Sequence, residues 1–360
     1  ETYFWNYKQN NKQFVGTLQS RGVCVGAIKA KGKRGIFFTF IAVVLMGLFI
    51  IIYTPPADIT LQKDTQSVRA RISTLNNLVN DMEYSYFVAV LRATAHKSLS
   101  SLILYMNSTG TYLQNFDSAF AEVMVNGTLN GVQIDSMTQK KIMENSTLSN
   151  WSSRIIDASR DTFNANASIK IIDVSARQTR PWSIDLALTI DLEVRSNVAM
   201  WNMSNVTVFA SLPVEGFDDP HYLVNTNGLY TNNIKASGLQ FNKWNISHVR
   251  EHVRNGTYVH WQDSQAPSFL MRFTNNMANS SCCGIESLVN PNKISSPDRI
   301  ESYADYAFWN HTYSSQCPLL YNITNPSTGG GIWDEFRYFK LDINSMVKYN
   351  IIGQDAVQTC

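Results

Sequence analysis

Apolar and polar positions alternate in three ways along this chain. From Gly35 to Tyr53 the sequence GIFFTFIAVVLMGLFIIIY runs 19 residues without a charge. As a helix it would span about 28 Å, close to the hydrocarbon thickness of a bilayer. From Ile59 to Met106 there is neither Gly nor Pro, and Val68, Ile72, Leu75, Val79, Met82 and Tyr86 step by 4, 3, 4, 3, 4. That spacing predicts one long amphipathic helix with a heptad-like stripe. Packing of the stripe on its own domain is favoured over packing on neighbouring subunits. Pro55-Pro56 separates the two helices and Asn107–Gly110 closes the second. Shorter helices are expected at Tyr112–Val125 and Asn150–Asn164.

Near Ser168 the period changes to two. Ile184, Leu186, Leu188, Ile190, Leu192 and Val194 alternate with Ser183, Asp185, Ala187, Thr189, Asp191, Glu193 and Arg195, which predicts a strand with one buried face. Further strands are expected at Ile169–Ala176, Val206–Leu212, Tyr258–Trp261, Phe269–Phe273 and Arg337–Ile343. Short strands between turn signals suggest an antiparallel sheet or sandwich. The fold class is therefore α+β. A short basic segment (1–34) precedes a membrane helix (35–53), a helical stalk or bundle (57–165) and a β-rich, sandwich-like outer domain (166–360).

Charge gives this plan a direction. Residues 1–34 hold seven Lys and Arg (Lys8, Lys12, Arg21, Lys29, Lys31, Lys33, Arg34) against Glu1, a net of +6; the whole chain is +2, so the remainder is −4. Basic residues directly before an apolar span keep that end in the cytoplasm and export the chain on its far side. A nucleic-acid reader would need its basic surface on the folded domain, so nucleic acid is excluded as a partner. A cleaved secretory signal would end in small residues, whereas this run ends in Ile51, Ile52 and Tyr53.

Two features agree with export. The pattern Asn-X-Ser/Thr occurs at Asn107, Asn126, Asn145, Asn150, Asn166, Asn202, Asn205, Asn245, Asn255, Asn279, Asn310 and Asn322, all after the span. Chance in a chain this rich in Asn, Ser and Thr would give about half as many. Cys24 falls on the cytoplasmic side, while Cys282, Cys283, Cys317 and Cys360 form an even set outside. Four cysteines allow two disulfides in three connectivities. A bond between neighbours is disfavoured, so Cys282 and Cys283 are each expected to pair with Cys317 or Cys360.

Catalytic signals are sparse. His248, Glu251 and His252 fit H-x-x-E-H, in which two His on one helix face would hold zinc and the Glu would act as base. Sequons at Asn245 and Asn255 bracket the motif, and a solvated helix is the preferred reading. Asp218-Asp219-Pro220 and Asp334-Glu335 lack calcium-loop spacing and read as turns or solvated faces. No phosphate loop, dinucleotide fingerprint or G-x-S-x-G is present. No catalytic residue, cofactor or metal is assigned, and the chain is not expected to be an enzyme.

KRGIFFTFIAVVLMGLFIIIY, LNNLVNDMEYSY, VEGFDDPHYLVNTNGLYTN, SCCGIESLVNPNKI and GGGIWDEFRYFKLD resemble a set of membrane-anchored archaeal surface proteins. Lys33-Arg34-Gly35 before the apolar helix resembles the class III processing signal of archaeal type IV pilin-like precursors, although no Glu stands five residues after the cut. The resemblance implies an archaeal envelope setting, a candidate cut at Arg34-Gly35 and a pilin-like stalk; it supplies no activity. The expected function is a cell-surface structural or adhesive protein. Its partners would be the membrane and copies of itself or other envelope proteins, with the ligand left open. The alternatives are a membrane-tethered binding or receptor domain and, less favoured, a zinc-dependent surface hydrolase.

Overall fold

A computed structural model describes the chain except for residues 1–34, 54–56, 240–242, 263–264, 311–318, 324–331, 352–355 and 359–360. It divides into two compact units, Glu1–Thr65 and Gln66–Cys360. In the first, α1 (Gly35–Tyr53) has the bounds of the uncharged run. Its described side chains lie open: Phe40, Val43, Leu45, Met46 and Phe49 are each more than half exposed. The unit boundary falls within α2 (Ala57–Asp81).

In the second unit α2 passes through a π-helical turn, Met82–Tyr86, into α3 (Phe87–Thr109). Among the described residues one helix, Thr65–Thr109, is long and apolar enough to cross a membrane, but 56% of its most apolar window is buried within the protein. The reason is packing: Leu75, Val79, Met82, Leu91, Ala95, Leu99 and Leu102 all enter the core. Of the heptad stripe, Leu75, Val79 and Met82 face their own domain, Ile72 and Tyr86 are half-buried and Val68 is exposed.

Next come α4 (Phe116–Asn126), a hairpin of β1 (Thr128–Leu129) and β2 (Val132–Gln133), α5 (Ile134–Thr138) and α6 (Leu148–Phe163). Asn115 and Thr147 cap α4 and α6 by accepting the Ser118 and Asn150 amides. The expected helices at Tyr112–Val125 and Asn150–Asn164 are α4 and α6, each shifted by its cap.

The main sheet is an antiparallel meander of β3 (Asn166–Arg180), β4 (Ser183–Arg195) and β5 (Met200–Pro213). In β4, Ile184 to Val194 alternate buried and half-buried without a break, so the period-two pattern translates directly into one covered face. Helices α3, α4 and α6 contact this sheet. Its other side is open, with Phe209 69% exposed opposite Ala187.

Beyond residue 213 regular structure thins. The elements are α7 (Pro220–Asn225), α8 (Ile246–Asn255), β6 (Tyr258–Val259), β7 (Glu286–Ser287), α9 (Asp305–Asn310), β8 (Leu320–Ile323), α10 (Ile332–Glu335), β9 (Lys340–Asp342), α11 (Ile343–Lys348) and β10 (Ala356–Gln358). β6 pairs with β7, and β8 lies between β10 and β9.

Three expectations are corrected. The antiparallel sheets of an α+β fold are present, but among the described residues after 166 they form a long three-stranded sheet backed by helices, followed by strands of two to four residues, rather than a sandwich. Residues from Leu75 to Ile351 share one core. Phe269–Phe273 is not a strand: Leu270–Thr274 forms a 3₁₀ turn, since Phe269 and Phe273 stack edge to face within a single turn of backbone. Of Tyr258–Trp261 and Arg337–Ile343 only the cores, β6 and β9, are strands.

Candidate functional site

The loop-rich part of the second unit is held by buried charge. Arg272, on the 3₁₀ turn, is fully buried. Its Nη1 donates to Asp219 Oδ2 at 2.5 Å and to Asp305 Oδ2 at 2.8 Å, and Nη2 donates to the Ile285 carbonyl. Asp219 caps α7 by accepting the His221 amide at 2.9 Å and also accepts from Tyr258 Oη at 2.8 Å. Asp305 accepts from Ser287 Oγ at 3.1 Å and from the Tyr306 amide at 2.7 Å. One cation thus joins α7, β6, β7 and α9.

A second pair lies beside it. Lys348 Nζ donates to Glu286 Oε2 at 3.0 Å, and Trp261 Nε1 donates to Glu286 Oε1 at 2.8 Å. Burial pushes the carboxyls of Asp219 and Glu286 upward, while Arg272 and Lys348 pull them back. Burial opposes the charge on Arg272, but Asp219 and Asp305 hold its guanidinium above the ordinary range. All four residues Asp219, Arg272, Asp305 and Glu286 are sealed from solvent. A general acid or base must reach a substrate, so these groups act as internal ties.

His252 shares this enclosure. Its Nδ1 lies 2.5 Å from Thr257 Oγ1 and its Nε2 lies 3.5 Å from Tyr349 Oη, with Trp244 packed edge to face on the ring. Burial lowers its pKa to about 3. Glu251 is exposed and His248 half-buried, so the H-x-x-E-H residues do not converge on one point. Among the described residues no group of three His, Cys, Asp or Glu could hold a metal ion. The two acidic pairs separate likewise: Asp219 is the buried cap, whereas Glu335 bridges to Arg254 at 2.8 Å on the surface.

Cys282 and Cys283 are joined to each other. Both sulfurs lie near the Gln178 carbonyl oxygen, at 3.5 and 3.4 Å. The expected pairing with Cys317 and Cys360 is thereby corrected; those two residues, Cys24 and Arg34 lie outside the described residues. Gly35 is the first residue of α1. All twelve sequon asparagines reach the surface. Asn107, Asn150 and Asn322 are half-buried and the other nine are exposed.

The described surface carries several concavities. One of about 400 Å³ lies between the end of α3, the segment 111–115, α4 and the β1–β2 hairpin. A smaller apolar one, about 210 Å³, sits beside the π-helical turn and is lined by Leu78, Met82, Tyr86, Ile155 and Phe163. A broad groove of about 580 Å³ runs between Asp117, Arg177, Gln178 and Met271.

No family model, curated protein or solved structure matches this chain.

The ionic ties were missed in the sequence. Their partners stand 53 and 33 residues from Arg272. The available signal was a lone Arg within the apolar run Phe269–Phe273.

Proposed function

We propose that this chain is a membrane-anchored surface protein, structural or adhesive, with α1 in the bilayer, residues 1–34 in the cytoplasm and the unit from Gln66 onward outside the cell. What carries the reading is the exposure of α1. Burying a large apolar side chain is worth about 1.5–3 kcal/mol. Phe40, Val43, Leu45, Met46 and Phe49, left in water, would together cost on the order of 5–10 kcal/mol. A bilayer removes that cost, and the charge of +6 before the helix sets its direction. Surface positions for all twelve sequons suit an exported glycoprotein. Sealed charged groups and open clefts favour a binding or structural role over catalysis.

The test is extraction and protease shaving. The chain should remain with membranes in alkaline carbonate and leave them in detergent. Protease added to intact cells should remove everything after about residue 55. Release by carbonate, or a protected C-terminal unit, would end this reading.

A further inference from the structure

We propose that the cleft of about 400 Å³ between α3, α4 and the β1–β2 hairpin binds a neutral saccharide. The inference deepens the adhesive reading and rests on it. The cleft has the volume of an ordinary small-ligand site. Tyr105, Tyr112, Gln114, Asn115, Glu122 and Asn130 supply its chemistry.

The fixed parts come first. Glu122 lines the wall but is committed. Its carboxylate accepts from Thr128 Oγ1 at 2.8 Å, the Gly131 amide at 2.8 Å and the Asn130 amide at 3.0 Å. Burial alone would raise its pKa; these three hydrogen bonds outweigh burial and lower it. Glu122 is thus an anionic brace that sets the position of Asn130 at the rim. Tyr112 is anchored from behind, its hydroxyl accepting from Asn225 Nδ2 at 2.7 Å and lying 3.1 Å from His221 Nδ1. Asn115 spends its carbonyl oxygen on the α4 cap, which leaves the amide NH₂ for the cleft.

The unspent groups define the ligand. The side-chain amides of Gln114 and Asn130 are exposed and have no partner among the described residues. Each offers an acceptor and two donors, the complement of neighbouring hydroxyls on a sugar ring. Tyr105 and Tyr112 also line the cleft, aromatic surface of the kind that suits the C–H face of such a ring. No Lys, Arg or His lines the cleft, and its one formal charge is a carboxylate, so anionic ligands are disfavoured. The largely polar lining disfavours a lipid chain or an apolar helix.

The experiment uses the full chain in lauryldimethylamine oxide micelles, whose headgroup carries no sugar to occupy the cleft. The labelled protein is applied to an array carrying neutral oligosaccharides of hexose and N-acetylhexosamine, sialylated and sulfated glycans, and unmodified peptides. The best neutral saccharide is then titrated calorimetrically. Binding to neutral glycans is expected. Asn130→Gly, which keeps the left-handed backbone of that turn (φ 52°), and Gln114→Ala should each weaken it about tenfold, the scale of one lost hydrogen bond. Both positions are exposed, and circular dichroism checks the fold. Phe209→Ala, on the open face of the sheet, should leave binding unchanged. Absence of neutral-glycan binding, preference for charged glycans or peptides, or affinity indifferent to both cleft variants would each overturn the proposal. Carbonate extraction is read separately. A chain that binds saccharide but is released from membranes loses its anchor and keeps its cleft, and the converse result removes the cleft alone.

Discussion

Arg272 and Asp219, 53 residues apart, meet at 2.5 Å with neither side chain reaching solvent. A buried pair of this kind adds little over a well-packed apolar replacement, but breaking it leaves a charge stranded. Here the stranding would be double, because Asp305 depends on the same Nη1.

Arg272→Met keeps much of the volume and removes the cation. It should destabilise the unit by about 3–5 kcal/mol, because Asp219 and Asp305 are left facing each other in the core. Chemical denaturation of the full chain measures this. The double variant Asp219→Asn/Asp305→Asn in the Met background should recover part of the loss. A single variant within 1 kcal/mol of the parent would show that the tie is dispensable.

His252 sets a pH dependence with a definite sign. Its pKa falls from an ordinary 6.5 to about 3 in the folded chain. Below pH 6.5 the unfolded chain takes up the proton and the folded chain does not. The contribution of neutral His252 is therefore complete above 6.5 and is lost progressively as pH falls towards 3. At pH 5 the loss is about 2 kcal/mol. His221 is lowered by burial and acts in the same direction. Asp219 and Glu286, raised by burial, act in the opposite one. Comparing parent and His252→Gln stability at pH 7.5 and pH 5 isolates the term. The difference between the two proteins should shrink on acidification.

The Cys282–Cys283 bond predicts a particular peptide. Digestion without reductant should release one fragment holding both cysteines and lacking two hydrogens, with no other fragment attached. Mass spectrometry that instead finds Cys283 linked to the peptide of Cys317 would restore the longer loop and its chain-entropy stabilisation.

The anchor can be cut or whole. With the uncut anchor as the favoured state, sequencing of membrane-extracted protein should find Lys29–Arg34 still attached. A mature start at Ile36 would instead support the pilin-like route, in which the apolar helix is withdrawn by packing against copies of itself.

Periodic stretches were legible because a repeat of two or of three to four reports burial without knowledge of partners. Ile184–Val194 in β4 and Leu75–Met82 at the α2 turn are the clearest cases. Phe269–Phe273 was misread because five apolar-rich residues fit a strand or a single helical turn equally well, and packing of Phe269 on Phe273 decided it. The site was largely illegible. Gln114, Asn115 and Asn130 are ordinary loop residues until α4 and the β1–β2 hairpin bring them round one cleft. His252 looked like half of a metal pair, and only the position of Thr257 after the α8 C-cap turns its ring inward. Of the stripe on the expected stalk, Leu75, Val79 and Met82 enter the core of the domain while Val68 stays exposed.

The Arg272 partners are synthesised far apart in time, which sets when this part of the chain can fold. Helices α2–α6 and the β3–β5 meander are complete by Pro213, but the core they join also takes residues as late as Ile351. Arg272 then emerges with Asp219 already present, but its second carboxylate arrives 33 residues later, and Lys348 reaches Glu286 only after a further 43 residues beyond Asp305. Until then the segment between carries charges without their counterparts and short strands without neighbours. The last third of the chain can therefore set only when nearly all of it has been made.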